Sequence, residues 1–233
     1  MTELLLIHGT CHGAWCFDRL LPELHQRGLS ARAIDLPGRD GSATTLDDYA
    51  QSILAAAAPD TILVGHSAGG YAITAAAEAA PDRFRGLIYL CAYLPAAGLS
   101  LADMRRAGPS QPLMPAICLA EDRQSFTIDP ALAPAAFYQD CPPDLAAWAT
   151  AQLCPQPVLP QQTPLWPTKA EPLPRHYIVC DNDQTIPPEY QRQMAARVPQ
   201  DCRHSLPSGH SPFLAMPDRL ADLLARLCLG ILE

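Results

Sequence analysis

A Gly-x-Ser-x-Gly motif at residues 65–69 is the part of the sequence with the clearest chemical potential. It lies between an apolar run, residues 61–64, and an alanine-rich stretch, residues 68–80. When a buried strand turns sharply into a helix at such a motif, the serine hydroxyl is exposed above the sheet. The backbone N–H of the next residue, Ala68, then points toward the same space. This context predicts that Ser67 is a nucleophile.

A serine hydroxyl is a weak nucleophile until a positioned base removes its proton. His210 has the surroundings expected of that base, because it follows an apolar run at 202–206 and a short loop that contains Gly209. If the sheet is parallel, the carboxyl ends of its strands meet at one edge. We therefore expect His210 to lie at the same edge as Ser67.

Two aspartates follow the apolar run 176–180, and either could orient the imidazole of His210. They are Asp181 and Asp183. We favour Asp183, because it lies further past the strand end, just before the chain turns back at 184–187. The carboxylate would hold the imidazole in the required tautomer and stabilise the imidazolium that forms.

The glycine-containing loop at residues 8–13 is expected to bind the negatively charged oxygen of a reaction intermediate. We assign the two donors to the backbone N–H groups of Thr10 and Ala68, because glycines let a backbone approach a substrate closely. His8 and His12 have metal-like spacing, but they flank a loop rather than lie on a helix. We interpret them as structural hydrogen-bonding groups and expect no metal and no cofactor.

Strand-like and helix-like segments alternate along most of the chain. Apolar strands that alternate with helices predict an α/β fold, with a mainly parallel sheet of about six strands and helices on both faces. The strands are predicted at 3–8, 30–36, 61–64, 86–92, 176–180 and 202–206, and the helices at 15–27, 46–58, 68–80, 188–197 and 212–229.

The alternation breaks between residues 95 and 170, which contain about half of the 25 prolines. Helix-like pieces occur near 131–138 and 144–153. We interpret residues 95–170 as a cap inserted over the strand ends, between a first core segment, 1–94, and a second, 171–233. The alternative is an elaborate surface loop, but a segment this long and rich in aromatic residues is expected to cover something. We assign Phe126 and Trp148 of this segment to substrate binding. Gly9, from the loop at residues 8–13, is the third assigned substrate-binding residue.

Composition limits the class of protein and its partners. A chain of 233 residues that is 48% hydrophobic fits one globular domain with a substantial core. A net charge of −8 disfavours nucleic acid as a partner. No run approaches a membrane span and no signal sequence is visible, so a cytoplasmic location without membrane contact is expected. The nine cysteines are scattered and include no C-x-x-C pair. We interpret them as small apolar residues in a reducing compartment.

With these features in place, the chain resembles the α/β-hydrolase superfamily over nearly its full length. The order Ser67, Asp183, His210 is that of its catalytic triads. Residues 8–15 are similar to a loop of the plant methyl-ester esterases, the related hydroxynitrile lyases and bacterial esterases, some of which hydrolyse pyrethroids. Residues 181–188 resemble the acid loop of the same group, which implies that the catalytic aspartate is Asp183.

The resemblance implies a cofactor-independent serine carboxylesterase that forms an acyl-enzyme on Ser67. The cap composition suggests a small to medium hydrophobic ester as the substrate. We expect the protein to be a monomer or a homodimer. A hydroxynitrile lyase is a second hypothesis, but lyases of this type carry threonine where this chain has Gly9 and lysine where it has Ser211. A hydrolase-like ligand receptor without turnover is a third hypothesis, against which an apparently whole triad argues.

Overall fold

The computed structural model describes residues 3–232. Its strands, in chain order, are β1 (Glu3–Ile7), β2 (Ser30–Ile34), β3 (Thr61–His66), β4 (Phe84–Leu90), β5 (Ile117–Leu119), β6 (Ser125–Ile128), β7 (Gln156–Pro157), β8 (Arg175–Cys180) and β9 (Arg203–Leu206). Its α-helices are α1 (Leu20–Gln26), α2 (Leu46–Ala56), α3 (Gly69–Ala79), α4 (Leu101–Ala107), α5 (Ala133–Phe137), α6 (Pro143–Ala151), α7 (Leu159–Gln162), α8 (Pro188–Ala195), α9 (Pro212–Ala215) and α10 (Pro217–Leu232).

Six of these strands form one parallel sheet in the order β2-β1-β3-β4-β8-β9. The predicted fold class, an α/β fold with a mainly parallel sheet of about six strands, is confirmed. The order reverses between β1 and β3, since β2 lies outside β1 while β4, β8 and β9 follow on the other side. Open parallel sheets bind ligands at the strand ends beside such a reversal.

Apolar side chains on both faces of the sheet hold the helices against it. Successive residues of a strand point to opposite faces. Leu4 and Leu6 of β1 accordingly join the core beneath α1 and α10, whereas Leu5 and Ile7 join the core beneath α2, α3 and α8. The two cores fix the strands in position, so the loops at their carboxyl ends are mounted on a rigid base.

The chain between β4 and β8 has structure of its own. It contains α4 to α7 and a three-stranded antiparallel sheet in the order β5-β6-β7. The helix-like pieces near 131–138 and 144–153 correspond to α5 and α6, whereas the small sheet was not predicted. Its strands are only two to four residues long, too short to show a periodic pattern.

Two predicted helices are each divided. The segment 15–27 forms a 3-10 turn, Ala14–Phe17, followed by α1. The segment 212–229 forms α9 and α10, which are separated at Met216, whose φ of −147° and ψ of 59° are not helical. Pro217 follows directly, and a proline disfavours helical geometry in the residue before it. Among residues 3–232, no helix has the length and apolar character that a membrane crossing requires.

Candidate active site

Ser67 occupies the sharp turn between β3 and α3. Its φ of 54° lies in the left-handed region, which non-glycine residues rarely adopt. The turn is held because the Ser67 N–H donates to the Leu90 carbonyl and the Ser67 carbonyl accepts from the Tyr93 N–H, both at 3.1 Å. A Cβ at Gly65 would lie 2.7 Å from the carbonyl oxygen of Gly69, so the turn requires a glycine there. The sheet therefore presents Ser67 at its carboxyl edge.

His210 and Asp183 form a buried hydrogen-bonded pair at the same edge. Asp183 follows β8 and His210 follows β9, and these two strands are neighbours. His210 Nδ1 lies 2.7 Å from Asp183 Oδ2. Because a carboxylate only accepts hydrogen bonds, Nδ1 carries a proton, so in the neutral imidazole Nε2 is the nitrogen with the free lone pair. An imidazole held in this tautomer is suited to act as a base.

The Asp183 carboxylate is held by three further donors. Oδ1 accepts from the backbone N–H groups of Thr185 at 2.6 Å and Ile186 at 3.0 Å, and Oδ2 accepts from Gln191 Nε2 at 2.7 Å. Gln191 is itself fixed, because its Oε1 accepts the Cys180 N–H at 3.0 Å. Gln191 was not predicted from the sequence, since a single glutamine on a helix belongs to no motif.

Asp181, the alternative acid, faces a different partner. Its carboxylate forms an ion pair with Arg192 at 2.5 Å, and both side chains are partly exposed. The structure thus brings Asp183, and not Asp181, against His210. Ser67 and His210 both lie within residues 3–232, and there the Ser67 hydroxyl forms no hydrogen bond with His210 Nε2. Such catalytic contacts commonly tighten only when substrate is bound.

The loop after β1 lies directly beside Ser67. A Cβ at Gly9 would lie 2.7 Å from the Ser67 Cβ, so only glycine permits this approach. Within residues 3–232, the backbone N–H groups of Thr10 and Ala68 donate no hydrogen bond. Two donors without acceptors beside a serine are available to bind a negatively charged oxygen.

The direction of the Thr10 N–H is set by the peptide group to which it belongs. That group also contains the Gly9 carbonyl, which points the opposite way in a trans peptide. The carbonyl accepts from His8 Nδ1 at 2.9 Å and from the His12 N–H at 3.3 Å. These two bonds fix the plane of the peptide group and with it the Thr10 N–H.

Both histidines of this loop are structural hydrogen-bonding groups, as expected. His8 Nε2 accepts the Leu36 N–H at 3.0 Å, which joins the loop to the end of β2. His12 Nδ1 donates to the Thr10 carbonyl at 2.7 Å, and Nε2 accepts from the Tyr138 hydroxyl at 2.9 Å. Burial lowers the pKa of His8 to about 4 and that of His12 to about 3. Both rings are therefore neutral near pH 7.

His66 holds the backbone of His210 by a hydrogen bond. Its Nε2 donates to the His210 carbonyl at 2.9 Å, and burial lowers the pKa of His66 well below its usual value. Candidate metal-ligand atoms of His66, Cys91 and His210 lie within 4.8 Å of one another. His66 Nε2 and the Cys91 thiol both bond the His210 carbonyl and His210 Nδ1 bonds Asp183, whereas His66 Nδ1 has no partner within residues 3–232. Hydrogen bonds to the His210 carbonyl thus account for the closeness of these three groups.

A narrow cavity of about 20 Å³ adjoins Ser67. Most of the residues that line it are polar, with Thr10, Tyr93, Arg105 and Gln161 among them. A second cavity of about 270 Å³ shares Arg105 and Gln161 with the first, so these two residues lie at the junction. Its wall is mostly apolar and includes Met114, Ile117, Phe126 and Val158. We name these the inner and the outer cavity.

The three predicted substrate-binding residues have different positions. Gly9 lies beside Ser67, and Phe126 lines the outer cavity. Trp148 is 40% exposed and packs edge-to-face against Trp15, with ring centroids 5.4 Å apart. It lines neither the inner nor the outer cavity. The aromatic character of the segment 95–170 did not reveal which of its rings face a cavity.

The segment between β4 and β8 contacts the site through polar side chains. The Tyr138 hydroxyl donates to His12 at 2.9 Å, and Gln161 Nε2 donates to Thr10 Oγ1 at 2.7 Å. The Asp140 carboxylate accepts the Gly209 N–H at 2.6 Å. These contacts join residues far apart in sequence, so no local pattern could have predicted them.

The sequence of this chain matches a protein family and several named relatives. The family model described as "Alpha/beta hydrolase family" matches residues 4–223. A pyrethroid hydrolase of Sphingobium wenxiniae is 33% identical, over 97% of this chain and 87% of that protein. Methyl jasmonate esterase 1 of Vitis vinifera is 28% identical, over 97% of this chain and 95% of that protein.

A solved structure has the same architecture. The crystal structure of a pyrethroid hydrolase from Sphingobium faniae superposes with a TM-score of 0.83 and 30% sequence identity. The match covers 97% of this chain and 96% of that chain. The likeness therefore extends over the sheet and the segment between β4 and β8 alike.

Proposed function

This chain belongs to the α/β hydrolase family and is a carboxylic ester hydrolase, and we propose that it acts as a serine esterase through an acyl-enzyme on Ser67. The observation that carries this proposal is the 2.7 Å bond between His210 Nδ1 and Asp183, formed at the sheet edge where Ser67 lines the inner cavity. Together with the Thr10 and Ala68 N–H groups, these residues provide a nucleophile, a base, an orienting acid and two oxyanion donors.

In the first half of the reaction, His210 Nε2 takes the proton of the Ser67 hydroxyl as Oγ attacks the ester carbonyl carbon. The carbonyl oxygen becomes negatively charged and accepts from the N–H groups of Thr10 and Ala68. Asp183 stabilises the imidazolium. The carbon–oxygen bond to the alcohol then breaks, and the alcohol leaves with the proton from His210.

In the second half, His210 removes a proton from a water molecule, which attacks the acyl carbon. The tetrahedral intermediate again places its negative oxygen at the N–H groups of Thr10 and Ala68. The bond to Ser67 Oγ breaks, His210 returns its proton to Oγ, and the carboxylic acid is released. Water is the only co-reactant, so this cycle calls for no metal and no cofactor.

We also propose that residues 95–170 act as a cap over this site, between the core segments 1–94 and 171–233. Supporting this, Arg105, Phe126 and Gln161 of that segment line the inner or the outer cavity. The apolar outer cavity fits the hydrophobic alcohol or acyl part of a small to medium ester, such as an aryl or methyl ester. A cytoplasmic location and a monomeric or homodimeric state complete the proposal.

The lyase alternative is not favoured. The relatives named above are a hydrolase and an esterase. This chain also has Ser211 directly after His210, and the Ser211 side chain is buried. It therefore lacks the lysine that hydroxynitrile lyases of this type carry at this position.

Replacing Ser67 or His210 tests the mechanism. We expect Ser67→Ala and His210→Ala each to lower kcat on aryl and methyl esters by about 10⁵-fold or more, and the double variant to be little worse, because the two act as a unit. Ser52→Ala and His25→Ala serve as matched controls that retain activity. Melting curves must show that all variants are folded. Turnover that survives in folded Ser67→Ala would disprove the acyl-enzyme.

A further inference from the structure

Arg105 places an uncompensated positive charge in the cavity of the nucleophile. It belongs to α4 and lines the inner cavity together with Ser67. Within residues 3–232, its guanidinium forms no ion pair and no hydrogen bond, and its Nε atom is buried without a partner. Burial lowers the pKa of Arg105, yet an arginine stays charged at any pH at which the protein works.

The neighbouring arginine of α4, in contrast to Arg105, has a carboxylate partner. Arg106 forms an ion pair with Asp103 at 2.5 Å, and Asp103 also accepts the Ser100 hydroxyl and N–H at the start of the helix. Asp103 is thus already paired on the exposed side of α4. Arg105, one residue earlier, turns toward the cavity and has no such partner.

The buried Nε–H of this half-buried guanidinium has lost water and gained no acceptor in exchange, which is unfavourable. An anionic group that enters the cavity would restore these interactions, and a carboxylate matches the guanidinium with two parallel hydrogen bonds. The other polar side chains of the inner cavity are uncharged, namely Thr10, Ser67, Tyr93, Ser110, Gln111, Gln161 and Thr185. They add hydrogen-bonding groups without competing for the cation. Arg106 lines the outer cavity, but its charge is paired with Asp103.

Resting on the proposed esterase function, we propose that Arg105 binds a carboxylate of the substrate, so that the enzyme prefers esters bearing a second, ionised carboxyl group. Half-esters of dicarboxylic acids are the simplest members of this class. The scissile ester lies at Ser67 and the free carboxylate reaches Arg105 at the junction of the two cavities. The apolar wall of the outer cavity takes up the hydrophobic part of the molecule.

The test compares monoethyl and diethyl esters of succinic, glutaric, adipic and suberic acid, by pH-stat at pH 7.5. The two members of a pair share the diacid chain length and the reacting ethyl ester, and differ in whether the second carboxyl group is ionised or esterified. Rates are expressed per ester group. We expect kcat/KM to favour the monoester by about 10- to 100-fold at the best chain length, the range of a charged hydrogen bond. Arg105→Gln should bring the ratio close to one.

Arg219→Gln is the matched control, because it removes one positive charge from an exposed site on α10. It should keep the wild-type ratio. Equal rates for both esters in the wild type, or an Arg105→Gln enzyme that loses both substrates to the same extent, would overturn the inference and leave the esterase intact. Folded wild type that hydrolyses neither these nor aryl esters would instead overturn the proposed function.

A binding measurement does not depend on turnover. In the Ser67→Ala background, the preferred monoester should raise the melting temperature more than its diester does. That difference should vanish in Ser67→Ala/Arg105→Gln and persist in Ser67→Ala/Arg219→Gln. An unchanged difference in the Arg105 variant would show that the carboxylate binds elsewhere.

Discussion

At the scale of the residue, Asp183 and Asp181 are only two positions apart and have different partners. Asp183 accepts four hydrogen bonds in a buried site, one of them from His210. Asp181 forms a partly exposed ion pair with Arg192. Exposed pairs of this kind contribute little, about 0 to 1 kcal/mol. We therefore expect replacement of Asp183, and not of Asp181, to impair activity.

We expect Asp183→Asn to lower kcat on an aryl ester by about 10⁴-fold, because an amide would stabilise the wrong imidazole tautomer and no imidazolium. Asp181→Asn is the matched control and should change kcat by less than a few fold. Steady-state kinetics of both variants, with melting curves to establish folding, decide the point. A crippled Asp181→Asn beside an active Asp183→Asn would mean that our assignment of the acid is wrong.

Gln191 acts on the same pair without contacting the nucleophile. It bridges the Asp183 carboxylate and the backbone of β8, through its amide nitrogen and its amide oxygen respectively. It is thus a positioning residue that sets the direction in which Asp183 can bind His210. A positioning residue of this kind has no characteristic sequence spacing. Only the tertiary structure therefore identifies it.

At the scale of the element, the loop that carries His210 is held by the segment between β4 and β8. The Asp140 carboxylate accepts the Gly209 N–H at 2.6 Å and the Ser208 hydroxyl at 3.2 Å. Two charge-assisted bonds to consecutive residues restrict this loop immediately before the proposed base. The position of His210 thus depends on an element that lies far from it in sequence.

Asp140→Ala should therefore lower kcat by roughly 10-fold, because a small displacement of a reacting group is costly in rate. Asp144→Ala, which removes a carboxylate from the start of the nearby α6, is the control and should leave kcat almost unchanged. The measurement is kcat and KM for one aryl ester in both variants. Equal rates for Asp140→Ala and wild type would show that the loop holds His210 without this contact.

At the scale of the whole molecule, buried neutral histidines couple stability to pH. The pKa of His8 is lowered to about 4 and that of His12 to about 3 by burial, from an ordinary value of 6.5. The unfolded chain consequently binds more protons than the folded chain between about pH 4 and 6.5. Stability must then fall as the pH falls through this window.

Each of the two histidines contributes a slope of up to about 1.4 kcal/mol per pH unit. Urea unfolding at pH 7, 6 and 5 should show the free energy of unfolding decreasing steadily. His12→Gln should lower stability at pH 7, because Tyr138 loses its acceptor, but should make the decrease toward pH 5 shallower. A free energy that is constant between pH 7 and pH 5 would contradict the assignment of neutral, buried rings.

Much of the fold and of the candidate site was accessible from the sequence, because its signals are local. The alternation of apolar strands and helices predicts the parallel sheet, and the structure confirms it. The glycines around Ser67 indicate a turn that tolerates no larger side chain. Aspartate and histidine directly after strands must lie at the carboxyl edge of such a sheet, which is where Asp183 and His210 are found.

Tertiary structure alone decided which side chains meet. It selected the partner of each aspartate, placed Phe126 at a cavity and Trp148 against Trp15, and turned Arg105 inward where Arg106 faces Asp103. It also joined Tyr138 to His12, 126 residues away in the chain. Periodicity and motifs report on neighbours within a few residues, whereas these contacts depend on how separate elements pack. For that reason the sequence determined the chemistry at the strand ends, and the packing of the chain decided its supports and its cavities.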